Sequence, residues 1–233
     1  MHSCPLLTMH RVIVPDNLQQ GITAFFSGKV PGSDIDEIAT IAGISKARIY
    51  LPVQKHTDKV LILDTPLDPR IADAVVTGRK DILIGVQVAD CVPLLLHDTK
   101  KNVVGVVHAG WRGTASSILK KTLDVMKKRF FCEPRDIMMA IGPSIRGCCY
   151  TVGPEVSEAV THATGEGPYS RMKGGKHCID LALANREQAL RAAISESNIW
   201  ISEECTFCNP DRYFSYRYAK GSAGRQAAFI GMV

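Results

Sequence analysis

The chain has 233 residues, of which 45% are hydrophobic and 22% charged, and it carries a formal net charge of +5. These values exclude a disordered or low-complexity chain and suffice for one large domain or two small ones with a real core. No apolar run reaches the length of a membrane-spanning helix, and residues 1–10 lack the unbroken apolar stretch of a secretory signal, so neither a membrane partner nor export is expected. The eight cysteines are then read as thiols of a cytoplasmic protein, some of them available to a metal. Cys148 and Cys149 are neighbours, and a disulfide between them would be strained. Much of the positive charge (Lys120, Lys121, Lys127, Lys128 and Arg129) reads as the solvated face of one helix, not as a nucleic-acid patch. A mild positive field still favours anionic or phosphorylated substrates.

Short, β-branched apolar runs bounded by Gly, Pro, Asp or Asn predict strands over residues 11–15, 22–26, 48–53, 60–63, 74–77, 82–89, 92–97 and 103–108. A short helix is predicted over 35–42, with Gly43 ending it. A long helix follows residue 113. Thr114 is placed as its N-cap, Leu119, Leu123, Met126 and Phe130 fall at helical spacing, and Pro134 blocks continuation beyond Glu133. A strand over 137–141 comes next, then a helix from Pro154 to about residue 162. Another helix is capped by Asp180 and runs to about residue 195, with Leu183, Leu190 and Ile194 turned inward. Between these two helices, residues 165–176 are Gly-rich and basic. His177 follows Lys176 where a phosphate-binding loop needs Ser or Thr, so the segment reads as a surface connection, with a substrate lid as the alternative. Strand-like runs over 199–202 and 227–233 close the chain. Strands and helices mix without strict βαβ alternation. The predicted fold is therefore α+β, mixed layered β-sheets with flanking helices, in a single domain spanning 1–233.

The chemistry concentrates at strand ends, where side chains are held rigidly yet exposed to a ligand. Asp90-Cys91 separates two apolar runs, His108 ends the next, and His56 ends one further upstream. Two histidines and one cysteine suit Zn²⁺ with one position left open, the arrangement of a catalytic zinc. Taken alone, Cys91 reads as a small buried hydrophobe and His56 as a surface residue. Two antiparallel strands joined by the turn at 97–101 would bring Cys91 and His108 together. Asp90 is then a proton shuttle or an orienting group. Ala109-Gly110 permits a tight turn, and Trp111-Arg112-Gly113 opens the long helix. Arg112 offers a fork of donors to phosphate or carboxylate, or else a surface salt bridge; Trp111 belongs to the same active-site segment, or else is a core anchor. The remaining histidines (His2, His10, His97, His162 and His177) read as structural or exposed. Cys205-Thr-Phe-Cys208 has no second C-x-x-C to complete a zinc site; it reads as a half-buried structural element or a redox pair. Phe214-Ser-Tyr-Arg217 combines aromatic rings with a guanidinium, suited to stacking on a flat ring or to packing a C-terminal strand.

These segments together resemble the YfiH family, also called the laccase-domain or multicopper polyphenol oxidase family. The matching stretches are Gln54-Lys-His56, Ala72-Asp-Ala-Val-Val-Thr77, Ala89-Asp-Cys-Val-Pro93, His108-Ala-Gly-Trp-Arg-Gly113, Ile141-Gly-Pro-Ser-Ile145, Tyr150-Thr-Val-Gly153, Asp180-Leu181 with Asn185, Cys205-Thr206, and Phe214-Ser-Tyr-Arg217 with Gly224-Arg225. Two positions depart from the family's usual pattern: Thr57 stands where Gly follows the first metal histidine, and Thr151 where Glu follows the tyrosine.

The resemblance implies a mixed α/β fold of packed sheets and a metal held by His56, Cys91 and His108. It also implies phosphorolysis of purine nucleosides, including adenosine, inosine and methylthioadenosine, and deamination of adenosine. Zinc would lower the pKa of its water toward ~7 for attack at purine C6. Asp90, Cys91 and Arg112 are the expected catalytic residues, and Trp111, Arg112, Phe214 and Tyr216 the expected substrate contacts. The expected partners are a small-molecule nucleoside and phosphate, with no nucleic acid and no partner protein. Two rivals stand beside this reading. A copper-binding polyphenol oxidoreductase is weakened by the supply of only seven histidines, although copper outcompetes zinc at most sites. A metal-independent hydrolase would use Cys91 as nucleophile and His108 as base.

Overall fold

The computed structural model describes residues 12–18, 21–64 and 67–233. The expectations placed on residues 1–10, on Arg11 and on His2 and His10 lie outside these. In chain order the elements are β1 (Val12–Ile13), β2 (Thr23–Ser27), α1 (Ile35–Ala42), β3 (Ile49–Tyr50), β4 (Val60–Ile62), β5 (Ala74–Thr77) and β6 (Leu83–Val88). They continue as β7 (Val92–Asp98), β8 (Val103–Ala109), α2 (Trp111–Ala115), α3 (Ile118–Phe130), β9 (Ile137–Ile141), β10 (Thr151–Val152) and α4 (Pro154–Thr164). The last are β11 (Ser170–Lys173), β12 (Lys176–Ile179), α5 (Leu181–Arg191), β13 (Ile199–Ile201) and β14 (Gln226–Gly231).

A five-stranded sheet runs β1-β2-β14-β6-β3, a six-stranded sheet β13-β9-β7-β8-β5-β4, and a small sheet β10-β12-β11. The two larger sheets share a core in which Phe26, Ile84, Val86 and Ile230 of the first meet Val75, Leu95, Val104 and Val106 of the second. The six-stranded sheet turns Leu94, Leu96 and Val107 the other way, against Leu119, Leu123 and Met126 of α3, Val160 of α4 and Ala184 of α5. Ile38 of α1 packs with Phe25, Leu83 and Phe229 on the outer face of the five-stranded sheet. Both faces of β7 and β8 are therefore covered, which explains why they read as unbroken apolar runs and not as an alternation. Leu94, Leu95 and Leu96 are each fully buried, worth about 2 kcal/mol apiece relative to exposure. Among the described residues no helix is long and apolar enough to cross a membrane.

The expected α+β class and layered mixed sheets are what the structure shows, and its departures have local causes. The predicted helix after residue 113 is two helices. It begins at Trp111, breaks at Ser116 and Ser117, the latter with φ 55°, and resumes at Ile118. Thr114 is consequently no N-cap. It is buried inside α2, its hydroxyl accepts a hydrogen bond from Asn185 Nδ2 at 2.9 Å, and its carbonyl accepts one from Gln188 Nε2 at 3.0 Å. Asp180 does cap α5, accepting from the Leu183 N–H at 3.1 Å. That helix stops at Arg191, and its inner face is Leu181, Ala184, Asn185 and Gln188, while Leu183 and Leu190 are only half-buried. Asn185 and Gln188 thus dock α5 on α2, polar contacts that an apolar periodicity does not register. Residues 165–176 contain most of a hairpin, β11 and β12, closed by Gly174 and Gly175 at φ 55° and 72°. Two consecutive positive φ angles are the tight hairpin turn that glycine favours. The basic residues of α3 are exposed, as a solvated face requires.

Candidate metal centre and its cleft

β7 and β8 pair antiparallel with Pro93 opposite His108 and Val92 opposite Ala109. Cys91, the residue before β7, is thereby set beside the end of β8. His56 arrives from the loop before β4. The ligand atoms of His56, Cys91 and His108 all lie within 4.8 Å of one another; His56 Nε2 is 4.0 Å from Cys91 Sγ, and the two imidazole centroids are 4.8 Å apart. A tetrahedral zinc with Zn–N near 2.1 Å and Zn–S near 2.3 Å separates its nitrogen and sulfur donors by about 3.6 Å. The donor set fits a metal with only small side-chain adjustments. Gly110 makes the approach possible: a Cβ there would lie 3.0 Å from Cys91 Sγ and 3.4 Å from His56 Cδ2.

One buried carboxylate organises all of this. Asp73, just before β5, receives the His108 Nδ1 hydrogen bond on Oδ1 at 2.8 Å, and the His56 backbone N–H at 3.0 Å on the same oxygen. Its Oδ2 accepts from the Thr57 N–H at 2.6 Å, the Thr57 hydroxyl at 2.7 Å and the Lys55 N–H at 3.3 Å. Asp73 therefore folds the loop that carries His56 and fixes the tautomer of His108, whose Nε2 is left for a ligand. Burial pushes the Asp73 carboxyl up, but hydrogen bonds from His108 and Thr57 outweigh it and bring it to about 2. Burial likewise opposes charge on His108 and Cys91. The attraction between the two, together with Asp73 on one side and His56 on the other, wins, raising His108 to about 9 and lowering Cys91 to about 6. Both shifts favour the charged forms, the thiolate of Cys91 and the imidazolium of His108. Gln54 pins the same loop to β6 by exchanging two 2.8 Å hydrogen bonds with the Gln87 backbone. His56 and Asp90 both have positive φ, 56° and 81°, an uncommon backbone state for residues other than glycine that gathers at functional sites.

The three donors open into a cleft of about 720 Å³ lined by residues that include Trp111, Arg112, Tyr150, Tyr216, Arg217 and Arg225. That size suits a ligand of nucleoside dimensions. Arg112 stacks on the Trp111 ring at 4.4 Å. Arg217 lies over the Tyr150 ring at 5.1 Å and donates to the Thr151 carbonyl at 3.0 Å. Burial, then the charge on Cys91, push the Tyr150 phenol up to about 12, so it remains a donor at neutral pH. Asp90 also lines the cleft, with both carboxylate oxygens engaged: Oδ1 accepts from the Thr206 hydroxyl at 2.6 Å and Oδ2 from the Arg217 N–H at 2.7 Å.

Residues 33–233 match the family model described as multi-copper polyphenol oxidoreductase laccase. The chain belongs to this family, the YfiH family. A relative from Aquifex aeolicus, named purine nucleoside phosphorylase, is 40% identical over 167 residues, which is 71% of this chain and 75% of that protein. Adenosine deaminase RL5, from an unknown prokaryotic organism, is 35% identical over 201 residues, covering 81% of this chain and 76% of that one. Purine nucleoside phosphorylase YlmD of Geobacillus stearothermophilus is 38% identical over 162 residues, 68% of this chain but only 59% of that protein's length. The crystal structure of YlmD superimposes with a TM-score of 0.83 at 30% identity, over 91% of this chain and 92% of that chain.

Within this YfiH-family cleft the expected residues are mostly assembled. His56, Asp90, Cys91, His108, Trp111, Arg112 and Tyr216 all line it. Phe214 does not. Its ring lies beneath Lys29 at 5.5 Å and fills the space over Gly224, where a Cβ would meet it at 2.5 Å. The Phe214 ring packs on Gly224, and the neighbouring Tyr216 and Arg217 line the cleft. The two departures from the family pattern are also placed: Thr57 hydrogen-bonds Asp73, and Thr151 receives Arg217. Asp73, Tyr150 and Arg225 carry no site role in the sequence reading, although each lies in a stretch that resembles the family. In the sequence Asp73 shows only as an acid at the head of the apolar run 74–77, inside the family-like stretch Ala72–Thr77.

Proposed function

We propose that this protein is a zinc-dependent purine nucleoside enzyme that phosphorolyses adenosine, inosine and methylthioadenosine and deaminates adenosine. The observation that carries the proposal is the convergence of His56, Cys91 and His108 on a nucleoside-sized cleft bordered by three guanidinium groups. The names of the relatives, purine nucleoside phosphorylase and adenosine deaminase, support it. Bound to the three donors, zinc supplies Lewis acidity and a water of lowered pKa. Asp73 holds His108 in the ligating tautomer. Arg112, Arg217 and Arg225 bind phosphate. Trp111 and Tyr216 flank the base, and the Tyr150 phenol donates to it. In phosphorolysis a phosphate oxygen bonds to ribose C1′ as the C1′–N9 bond breaks and the purine departs with the electron pair. In deamination a water oxygen bonds to C6 and the amino group leaves as ammonia. Asp90 keeps Arg217 and the Thr206 segment against the cleft.

The oxidoreductase reading would require several coppers. Among the described residues the one histidine-containing donor set is His56, Cys91 and His108. That set also accepts copper, as the affinity order of divalent ions demands, so a copper-loaded form is a loading product in this account. The protein's partners are the nucleoside and phosphate, and its place is the cytoplasm, where the thiols of a reactive Cys91 and its neighbours stay reduced.

Mass spectrometry of products from adenosine, inosine and methylthioadenosine, with and without phosphate, tests this. The expected result is free base and a ribose 1-phosphate only when phosphate is present, and inosine from adenosine in either case. Absence of turnover on all three nucleosides by zinc-loaded protein, or oxygen-dependent oxidation of a phenol in its place, would overturn it.

A further inference from the structure

We propose that Cys148, Cys149, Cys205 and Cys208 form a second, structural zinc site made of four thiolates. Their sulfur atoms all lie within 4.8 Å of one another. Cys208 Sγ is 3.3 Å from Cys149 Sγ and 3.8 Å from Cys148 Sγ. A disulfide requires about 2.05 Å, whereas a tetrahedron with Zn–S near 2.3 Å has edges of about 3.8 Å. The spacing is that of sulfurs around one ion. The half-motif Cys205-Thr-Phe-Cys208 is thus completed in space by an adjacent pair of cysteines more than fifty residues earlier in the chain.

The surroundings are built for such a site. Each pair rides on a hydrogen-bonded turn. The N–H groups of Cys149 and Tyr150 both donate to the Arg146 carbonyl, at 2.9 and 3.0 Å. The N–H and the side-chain amide of Asn209 both donate to the Cys205 carbonyl, at 3.2 and 2.9 Å. The Arg146 N–H points at Cys205 Sγ from 3.4 Å, the contact that a thiolate attracts. The two turns are joined beside the sulfurs by the Thr206 N–H on the Ser144 carbonyl at 3.1 Å. The first turn is also anchored to α5, because Arg146 Nε and the Gly147 N–H bond Asp180 Oδ2 at 2.9 and 3.1 Å. Thiols are weak hydrogen-bond donors, so four of them gain little from one another. A soft cation satisfies all four, and an all-sulfur tetrahedral set selects zinc or iron, with no position left for chemistry.

The clip sits where it steadies the cleft. Tyr150, next to Cys149, lines the cleft, and Thr206, next to Cys205, bonds Asp90. A zinc ion there would tie the Tyr150 wall to the segment carrying Tyr216 and Arg217. The inference does not depend on which reaction the cleft performs.

Zinc content of protein made without added metal and purified under reducing conditions tests it. Wild-type protein is expected to carry two zinc ions per chain, the Cys91→Ala variant one, and the Cys148→Ser/Cys208→Ser double variant one. Cobalt loaded into Cys91→Ala protein, whose cleft has no sulfur left, is expected to show thiolate-to-metal charge-transfer absorption. This reading needs no folded double variant. Absence of zinc from Cys91→Ala protein, no charge-transfer band on its cobalt form, iron in place of zinc, or a Cys149–Cys208 disulfide in the intact mass under non-reducing conditions would overturn the proposal.

Discussion

Cys91→Ala protein is expected to fold as the parent does, to lose the metal at the cleft and to lose nucleoside turnover by more than about 10²-fold. The fold should survive because Cys91 is only half-buried at the edge of β7, and its loss opens little space in the core that Leu94, Leu95 and Leu96 fill. The metal should be lost because two imidazoles remain where three donors converge, and even groups that merely support ligands cost about 10–100-fold in metal affinity when removed. Circular dichroism checks the fold, metal analysis the occupancy and product assays the rate. Loss of activity alone would not separate a metal ligand from a cysteine nucleophile, because the Cys91–His108 pair has the thiolate character of either. Chelation does separate them. Parent protein whose cleft is emptied while the four-cysteine site keeps its zinc is expected to be inactive and to recover with zinc, while a cysteine–histidine hydrolase would work throughout.

The second large effect is expected at Asp73, a residue that touches no ligand. Asn at this position keeps the shape but presents one oxygen where Asp presents two. The donors on Oδ1 are the His56 N–H and His108 Nδ1, and those on Oδ2 come from Lys55 and Thr57. One of these groups must then face an NH₂. Either orientation leaves buried donors unpaired and removes a charge that holds His108 in place, a loss of about 3 kcal/mol. Asp73→Asn should therefore weaken metal binding by about 10–100-fold and lower Tm by roughly 10 °C. Metal titration and thermal unfolding read the two effects separately. Unchanged metal affinity would show that the loop bearing His56 is held by other means, Gln54 foremost.

How much of this was legible in the sequence follows from which contacts are local. The runs that became β7 and β8 were continuous and apolar because both faces of the six-stranded sheet are covered. Their antiparallel register then carried Cys91 and His108 to the same edge. His56 joins them from the loop before β4. The organising role of Asp73 was not visible, because it depends on residues 55–57, 73 and 108 meeting in space, and a family-like stretch does not say which groups its acid binds. Phe214, expected in the cleft, packs on Gly224 instead for a related reason. An aromatic next to an arginine signals stacking, but the glycine at 224 that receives its ring lies ten residues on. The break between α2 and α3 escaped notice because Leu119, Leu123 and Met126 keep a helical period that begins only after Ser117. Cys205-Thr-Phe-Cys208 lacked a second half within its own stretch of chain, and only the folded turns bring Cys148 and Cys149 to it.

Anomalous diffraction at the zinc edge, from zinc-saturated crystals that have never been exposed to copper, bears most directly on the cleft. The account predicts a peak about 2.0–2.3 Å from His56 Nε2, Cys91 Sγ and His108 Nε2 together. A peak that leaves out the Cys91 sulfur, or no peak among these donors while the protein turns over nucleosides, would contradict it.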